Sequence, residues 1–174
     1  MSIDQLTEIA LAMVASGKGI IAIDESNDTI KKRFDSVGVE CTEENRRAYR
    51  EMLLTTPNLN EYISGAILYD ETIRQKTKDG VPFTKIMLDN GILPGIKVDA
   101  GTTPLAGFPG EVVTQGLEGL RERMNEYAAL GAKFAKWRAV ININIEEGMP
   151  SDTCIEANVH ALARYAALCQ EAGI

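Results

Sequence analysis

The chain has 174 residues, 45% of them hydrophobic and 25% charged, with a net charge of −7. That balance fits a globular chain able to bury a core, and it leaves no basic patch for nucleic acid. No apolar run approaches the ~20 residues of a membrane-spanning helix, so no membrane partner is expected.

The opening MSIDQLTEIALAMVASG carries acids and alternates polar with apolar residues, which does not fit a secretory leader. Leu6, Ile9, Ala10, Met13 and Val14 recur at helical spacing, and Gly17 ends that helix. GIIAID (19–24) is a short apolar run that reads as a strand buried on both faces. SNDTIKKRF can start a helix capped by Ser26 or Asn27. A helix opens at Thr42 with acids in its first turn and runs to about Thr55. ISGAILYD (63–70) is the next strand, followed by helical stretches at 71–76 and 83–90. GIKVD (95–99) is the third strand, and TTPLAGFPGE, rich in Gly and Pro, reads as a loop. Leu117, Leu120, Met124 and Tyr127 mark a helix that stops at Gly131, and AKFAKWRAV (132–140) is the fourth strand. The last helix starts near Ser151, with Ile155, Val159, Leu162, Ala166 and Cys169 on one face. His160 lies on it as a surface residue. Cys41, Cys154 and Cys169 lack metal-ligand or redox spacing and read as reduced thiols of a cytoplasmic protein.

Four strands alternating with helices predict an α/β fold of parallel strands with helices packed outside, near 19–24, 63–69, 95–99 and 133–140. No linker or composition break interrupts residues 1–174, which read as a single domain. The polar residues sit where such strands are normally apolar: Asp24, Lys97, Asp99, Lys136 and Arg138. Side chains alternate along a strand, so Lys136 and Arg138 share a face, as do Lys97 and Asp99. Either these strands are solvated edges, or their charges converge on a pocket at the C-terminal strand ends, where parallel α/β folds keep their sites.

Several segments carry a family resemblance. GKGIIAIDES, TEENRRAYREMLL, GIKVDAGTTPLAG, TQGLEGLRERMNEYAALGAKFAKWRAV and EANVHALARYAALCQEAGI resemble, in order and spacing, the class I fructose-bisphosphate aldolases. The resemblance implies the N-terminal half of a (β/α)8 TIM barrel and a retro-aldol reaction. Fructose 1,6-bisphosphate is split into dihydroxyacetone phosphate and glyceraldehyde 3-phosphate through a lysine iminium, without metal or cofactor. By the same resemblance, Asp24 handles a substrate hydroxyl and proton transfer. Lys136 stands beside the Schiff-base lysine and stabilises developing oxyanions. Ser26, Thr29, Arg33 and Lys97 match positions associated with a substrate phosphate, Lys32 less closely, and Arg138 would contact phosphate or nearby acids. Capping alone could account for Ser26 and Thr29, and a solvated helix face for Lys32 and Arg33. Asp28 departs from the family pattern, which often has glycine there.

The fifth strand with its catalytic glutamates, and the Schiff-base lysine on the sixth, would follow Ile174. A (β/α)8 barrel needs about 250 residues. The resemblance therefore predicts an incomplete barrel, inactive alone. Its alternative is a non-enzymatic half-barrel that at most binds sugar phosphates. Two open sheet edges and an exposed inner face predict a homo-oligomer or pairing with the missing C-terminal half.

Overall fold

The computed structural model describes residues 3–174. In chain order the elements are α1 (Ile3–Met13), β1 (Gly19–Ile23), α2 (Asn27–Asp35), α3 (Glu43–Leu54), α4 (Leu59–Tyr62), β2 (Ile63–Leu68), α5 (Asp70–Arg74), α6 (Phe83–Asp89), β3 (Leu93–Lys97), β4 (Thr102–Pro104), β5 (Val112–Thr114), α7 (Leu120–Ala129), β6 (Phe134–Lys136) and α8 (Asp152–Ala172). The main sheet is parallel with order β1-β2-β3-β6, as the alternation of strands and helices predicts. Its edges are β1 and β6.

Strand register sorts the side chains into two rows. Ile23, Leu68, Ile96 and Ala135 stand abreast on one face. The first three are at most 2% exposed, packed with Met87, Leu120, Met124 and Tyr127 of the flanking helices. Ala22, Ile67, Gly95 and Phe134 stand abreast on the other, inner face. Among the described residues no layer covers that face at β1, and Ile20 and Ala22 are exposed. The expectation that β1 is buried on both faces therefore fails: two-sided burial needs a closed barrel, and four strands provide cover on one side only. Phe134 is the exception on the inner face. Its ring lies over Gly65 and Gly95, and the trough left by two missing side chains buries it.

The strand ends also differ from expectation. Asp24, Asp99 and Arg138 lie just past β1, β3 and β6, because the ladder ends where the neighbouring chain turns away; Val98 N still donates to the Lys136 carbonyl. TTPLAGFPGE is not simply a loop. Its first three residues pair with residues 112–114 as the antiparallel ribbon β4–β5, with Pro104 at the strand end, where its missing N–H costs little. The short helix α4 carries no periodicity long enough to announce itself.

Helix α8 is rotated relative to its predicted face. Cys154, Asn158, Ala161 and Cys169 are buried, whereas Ile155, Val159 and Leu162 are 43%, 57% and 36% exposed. Polar anchors set the rotation. Ser151 caps the helix by accepting from Cys154 N, and Asn158 donates to the Val112 carbonyl of β5. His160 is exposed, as expected. Among the described residues, no helix is long and apolar enough to cross a membrane.

Candidate active site at the strand ends

The four parallel strands deliver their last residues to one cleft of about 640 Å³. Asp24, Ser26, Thr29, Arg33, Lys97, Lys136 and Arg138 all line it, so the structure brings these seven sequence-derived candidates together. Lys32 and Asp28 do not: both are exposed on α2 and absent from the lining. The acid at position 28 instead sits in the first turn of α2, where the helix dipole favours it.

Register explains the cations. Lys97 pairs with Lys136 across the β3–β6 ladder, which sets two ammonium groups side by side on the inner face. Neighbouring strands are about 4.8 Å apart, so the two charges repel unless each is compensated. Each is. Lys136 Nζ donates to Asp24 Oδ2 at 2.8 Å, which joins the first and last strands of the sheet. Lys97 Nζ donates to the Asp99 carbonyl at 2.7 Å and pairs with Asp99 Oδ1 at 2.9 Å. Asp99 Oδ1 also accepts from Gly101 N, while Oδ2 is buried with no hydrogen-bond partner among the described residues. The loop carrying Asp99 is braced by Gly116. Its φ of 126° suits glycine, and a Cβ there would come within 2.9 Å of Ala100 N. Among the described residues, no carboxylate pairs with Arg138, whose guanidinium is exposed at the rim. Its backbone carbonyl is held by the Thr114 hydroxyl at 2.7 Å.

The opposite wall is the turn from β1 into α2. Ser26 occupies the N-cap position, yet its hydroxyl makes no capping bond; it meets the Thr29 hydroxyl at 3.2 Å. Backbone capping therefore does not account for Ser26, and two adjacent hydroxyls at a helix start face the cleft. Arg33 is 58% exposed and donates to Glu25 Oε1.

Sequence reasoning missed two groups here. Glu25 lines the cleft and is 8% exposed; Arg50 of α3, 2% exposed, lies behind it. Arg50 Nη2 donates to Glu25 Oε2 at 3.0 Å. Burial pulls the Arg50 guanidinium down from its usual range, against the opposing pull of Glu25. The available signal was spacing: Arg50 lies one turn before Leu54, on the face α3 buries. Among the described residues, no group of three or more His, Cys, Asp or Glu side chains is placed to hold a metal ion.

A parallel α/β sheet with a cationic cleft at its C-terminal edge, closed by a salt bridge between first and last strands, defines the class of barrel-type α/β folds with strand-end sites. Comparison with known proteins narrows this. A family model described as fructose-bisphosphate aldolase class-I matches residues 5–174. A probable fructose-bisphosphate aldolase class 1 of Xanthomonas campestris pv. campestris is 75% identical over 174 residues, covering 100% of this chain and 52% of the relative. The fructose-bisphosphate aldolase of Dictyostelium discoideum is 53% identical, with 98% and 48% covered. The cytoplasmic isozyme of Spinacia oleracea is also 53% identical, with 98% and 47% covered. The solved structure of Plasmodium falciparum fructose-bisphosphate aldolase, in complex with TRAP and a small-molecule inhibitor, superposes with a TM-score of 0.94 at 47% identity. It is matched over 98% of this chain and 49% of its own. The chain belongs to the class I fructose-bisphosphate aldolase family, and it spans about half the length of the relatives it matches.

Proposed function

We propose that residues 1–174 form one incomplete domain, the first four β/α units of an aldolase barrel. The complete enzyme reversibly cleaves fructose 1,6-bisphosphate to dihydroxyacetone phosphate and glyceraldehyde 3-phosphate, a glycolytic lyase reaction in the cytoplasm. The observation that carries this reading is the Lys136–Asp24 pair, 2.8 Å apart, inside a cleft otherwise walled by hydroxyls and cations. A retro-aldol step generates charge on oxygen and must move a proton from a hydroxyl. A carboxylate beside an ammonium offers both an acceptor and a stabilising cation at one spot. Asp24 takes the role at the substrate hydroxyl, and Lys136 stabilises the developing oxyanion. Ser26, Thr29, Arg33, Lys97 and Arg138 hold phosphate. The iminium that serves as electron sink forms on a lysine contributed by the rest of the barrel. Lys97 and Lys136 are poor substitutes for it, since each ammonium is already committed to a carboxylate.

The test is complementation. The chain alone should show no cleavage of fructose 1,6-bisphosphate in a coupled assay and no borohydride-trapped adduct. Mixing it with the remaining half of the barrel should restore turnover. Lys136→Met in the reassembled enzyme should lower kcat by about two to three orders of magnitude, the scale of losing one group that stabilises an oxyanion. Turnover by the chain alone at the rate of the assembled enzyme would refute the assignment of the Schiff base to the other half.

A further inference from the structure

Arg50 lies outside the cleft, yet it touches three atoms of the turn that builds one wall of it. Nε donates to the Ile23 carbonyl at 3.1 Å, and Nη2 donates to the Glu25 carbonyl at 3.2 Å and to Glu25 Oε2 at 3.0 Å. Glu25 in turn accepts from Arg33 through its other oxygen, Oε1. The three groups thus form a line from the interior to the cleft, with side-chain exposures of 2% for Arg50, 6% for Glu25 and 58% for Arg33. Their formal charges are plus, minus, plus.

We propose that Arg50 is a positioning residue for anion binding: it neutralises Glu25, so that Arg33 is aimed by a carboxylate without being cancelled by it. This rests on the phosphate-binding reading of Arg33 given above. A carboxylate at a phosphate site is otherwise unfavourable, because it repels the ligand and occupies the cation meant for it. Without Arg50, Glu25 and Arg33 sum to zero. With it, the trio presents one net positive charge, and only one Arg33 nitrogen is spent on Glu25, which leaves the other donors of the guanidinium for phosphate. The two backbone carbonyls add a second effect. They fix the end of β1, and with it the stations of Asp24 and Ser26 on either side of Glu25.

The experiment titrates inorganic phosphate, and separately fructose 1,6-bisphosphate, into the chain by calorimetry, with folding checked by circular dichroism. Arg50→Met is expected to weaken phosphate binding roughly tenfold, the scale of one partly screened charge interaction. The double variant Glu25→Gln/Arg50→Met restores the net charge and should bind within about threefold of the unaltered chain, since a factor of three is less than 1 kcal/mol. A merely structural role for Arg50 would not produce that rescue. Arg46→Met removes another arginine of α3, one paired with Glu71 away from the cleft, and should leave phosphate binding unchanged. If Arg50→Met does not fold, Glu25→Gln alone decides: it raises the trio to two net positive charges and should tighten phosphate binding. Unchanged or weaker binding by Glu25→Gln, or Arg50→Met binding like the unaltered chain, overturns the proposal while leaving the phosphate reading intact. Failure of the unaltered chain to bind phosphate removes both.

Discussion

Phe134 shows how a single residue shapes the inner face. Its ring rests where Gly65 and Gly95 leave no side chain, and a Cβ added at Gly95 would come within 2.2 Å of that ring. Gly95→Ala must therefore expel Phe134 from its trough. The expected cost is about 1–3 kcal/mol, the range for overpacking a filled site, measured by denaturant unfolding. Gly95→Ala/Phe134→Leu should recover part of it, and strictly additive losses would show that the two residues do not share the space. The same scale decides what can be read in advance. Lys97, Lys136 and Arg138 are legible because a cation inside an apolar strand is costly and parity gives its face. Glu25 and Arg50 are not, because a charged residue beside apolar neighbours looks the same in sequence whether it meets water or a buried partner. Only the packing of α3 behind β1 brings that pair together.

Among the elements, α8 is the one whose orientation the sequence misreports. Its apolar stripe at 155, 159 and 162 points outward, because polar contacts to the β4–β5 ribbon fix its first turns, and periodicity cannot weigh a cap against a stripe. Strand alternation and helix starts are legible; Thr42, for instance, caps α3 by accepting from Asn45 N. Thr42→Ala should cost about 1 kcal/mol, readable as a lower midpoint of chemical unfolding. At α8 the cap has a second layer. Glu111, across the ribbon, accepts from both the backbone N–H and the hydroxyl of Ser151. The Ser151 hydroxyl, above all, holds the Glu111 carboxyl below the usual carboxylate range, against the smaller opposing effect of burial. A carboxyl lowered in the folded state stabilises the fold above its unfolded pKa, about 4.3, and loses that contribution as pH falls through the folded value. Thermal unfolding of the unaltered chain should therefore shift down from pH 6 toward pH 3 (roughly the carboxylate titration range). Glu111→Gln should be less stable at neutral pH and shift less on acidification. Glu44, Glu126 and Glu171 are lowered by Arg47, Arg74 and Arg121, so salt should erode their share. The Glu111 share depends on a neutral donor. A difference between Glu111→Gln and the unaltered chain that vanishes in high salt would count against this assignment.

At the largest scale, residues 3–174 taken on their own distribute their unsatisfied surface unevenly, and this decides how they should associate when expressed alone. Pairing through the inner face has little apolar drive: Phe134 is already buried, and the neighbouring Lys97 and Lys136 are paired with acids of the same chain. The side that carries β6 is different. The strand has a free edge, α8 exposes Ile155, Val159 and Leu162, and the segment after β6 exposes Ile143 and Ile145 at 76% and 88%. A fully buried aliphatic side chain contributes roughly 1.5–3 kcal/mol, so five of them can offset an association cost of about 4–15 kcal/mol. A free strand edge adds backbone groups in need of partners. Self-association through the β6–α8 side is therefore expected, with light scattering after size exclusion giving a mass at or above that of a dimer at micromolar concentration. Ile143→Asp/Ile145→Asp and Val159→Glu should each shift the chain toward monomer, because each sets a charge where a partner must be dry. Ile20→Glu, on the inner face of the opposite edge, should not. The reverse pattern, with Ile20→Glu dissolving the assembly and the other variants leaving it intact, would mean that two copies close face to face across the β1 edge. A monomer from the unaltered chain would mean that its open edges are satisfied by water alone.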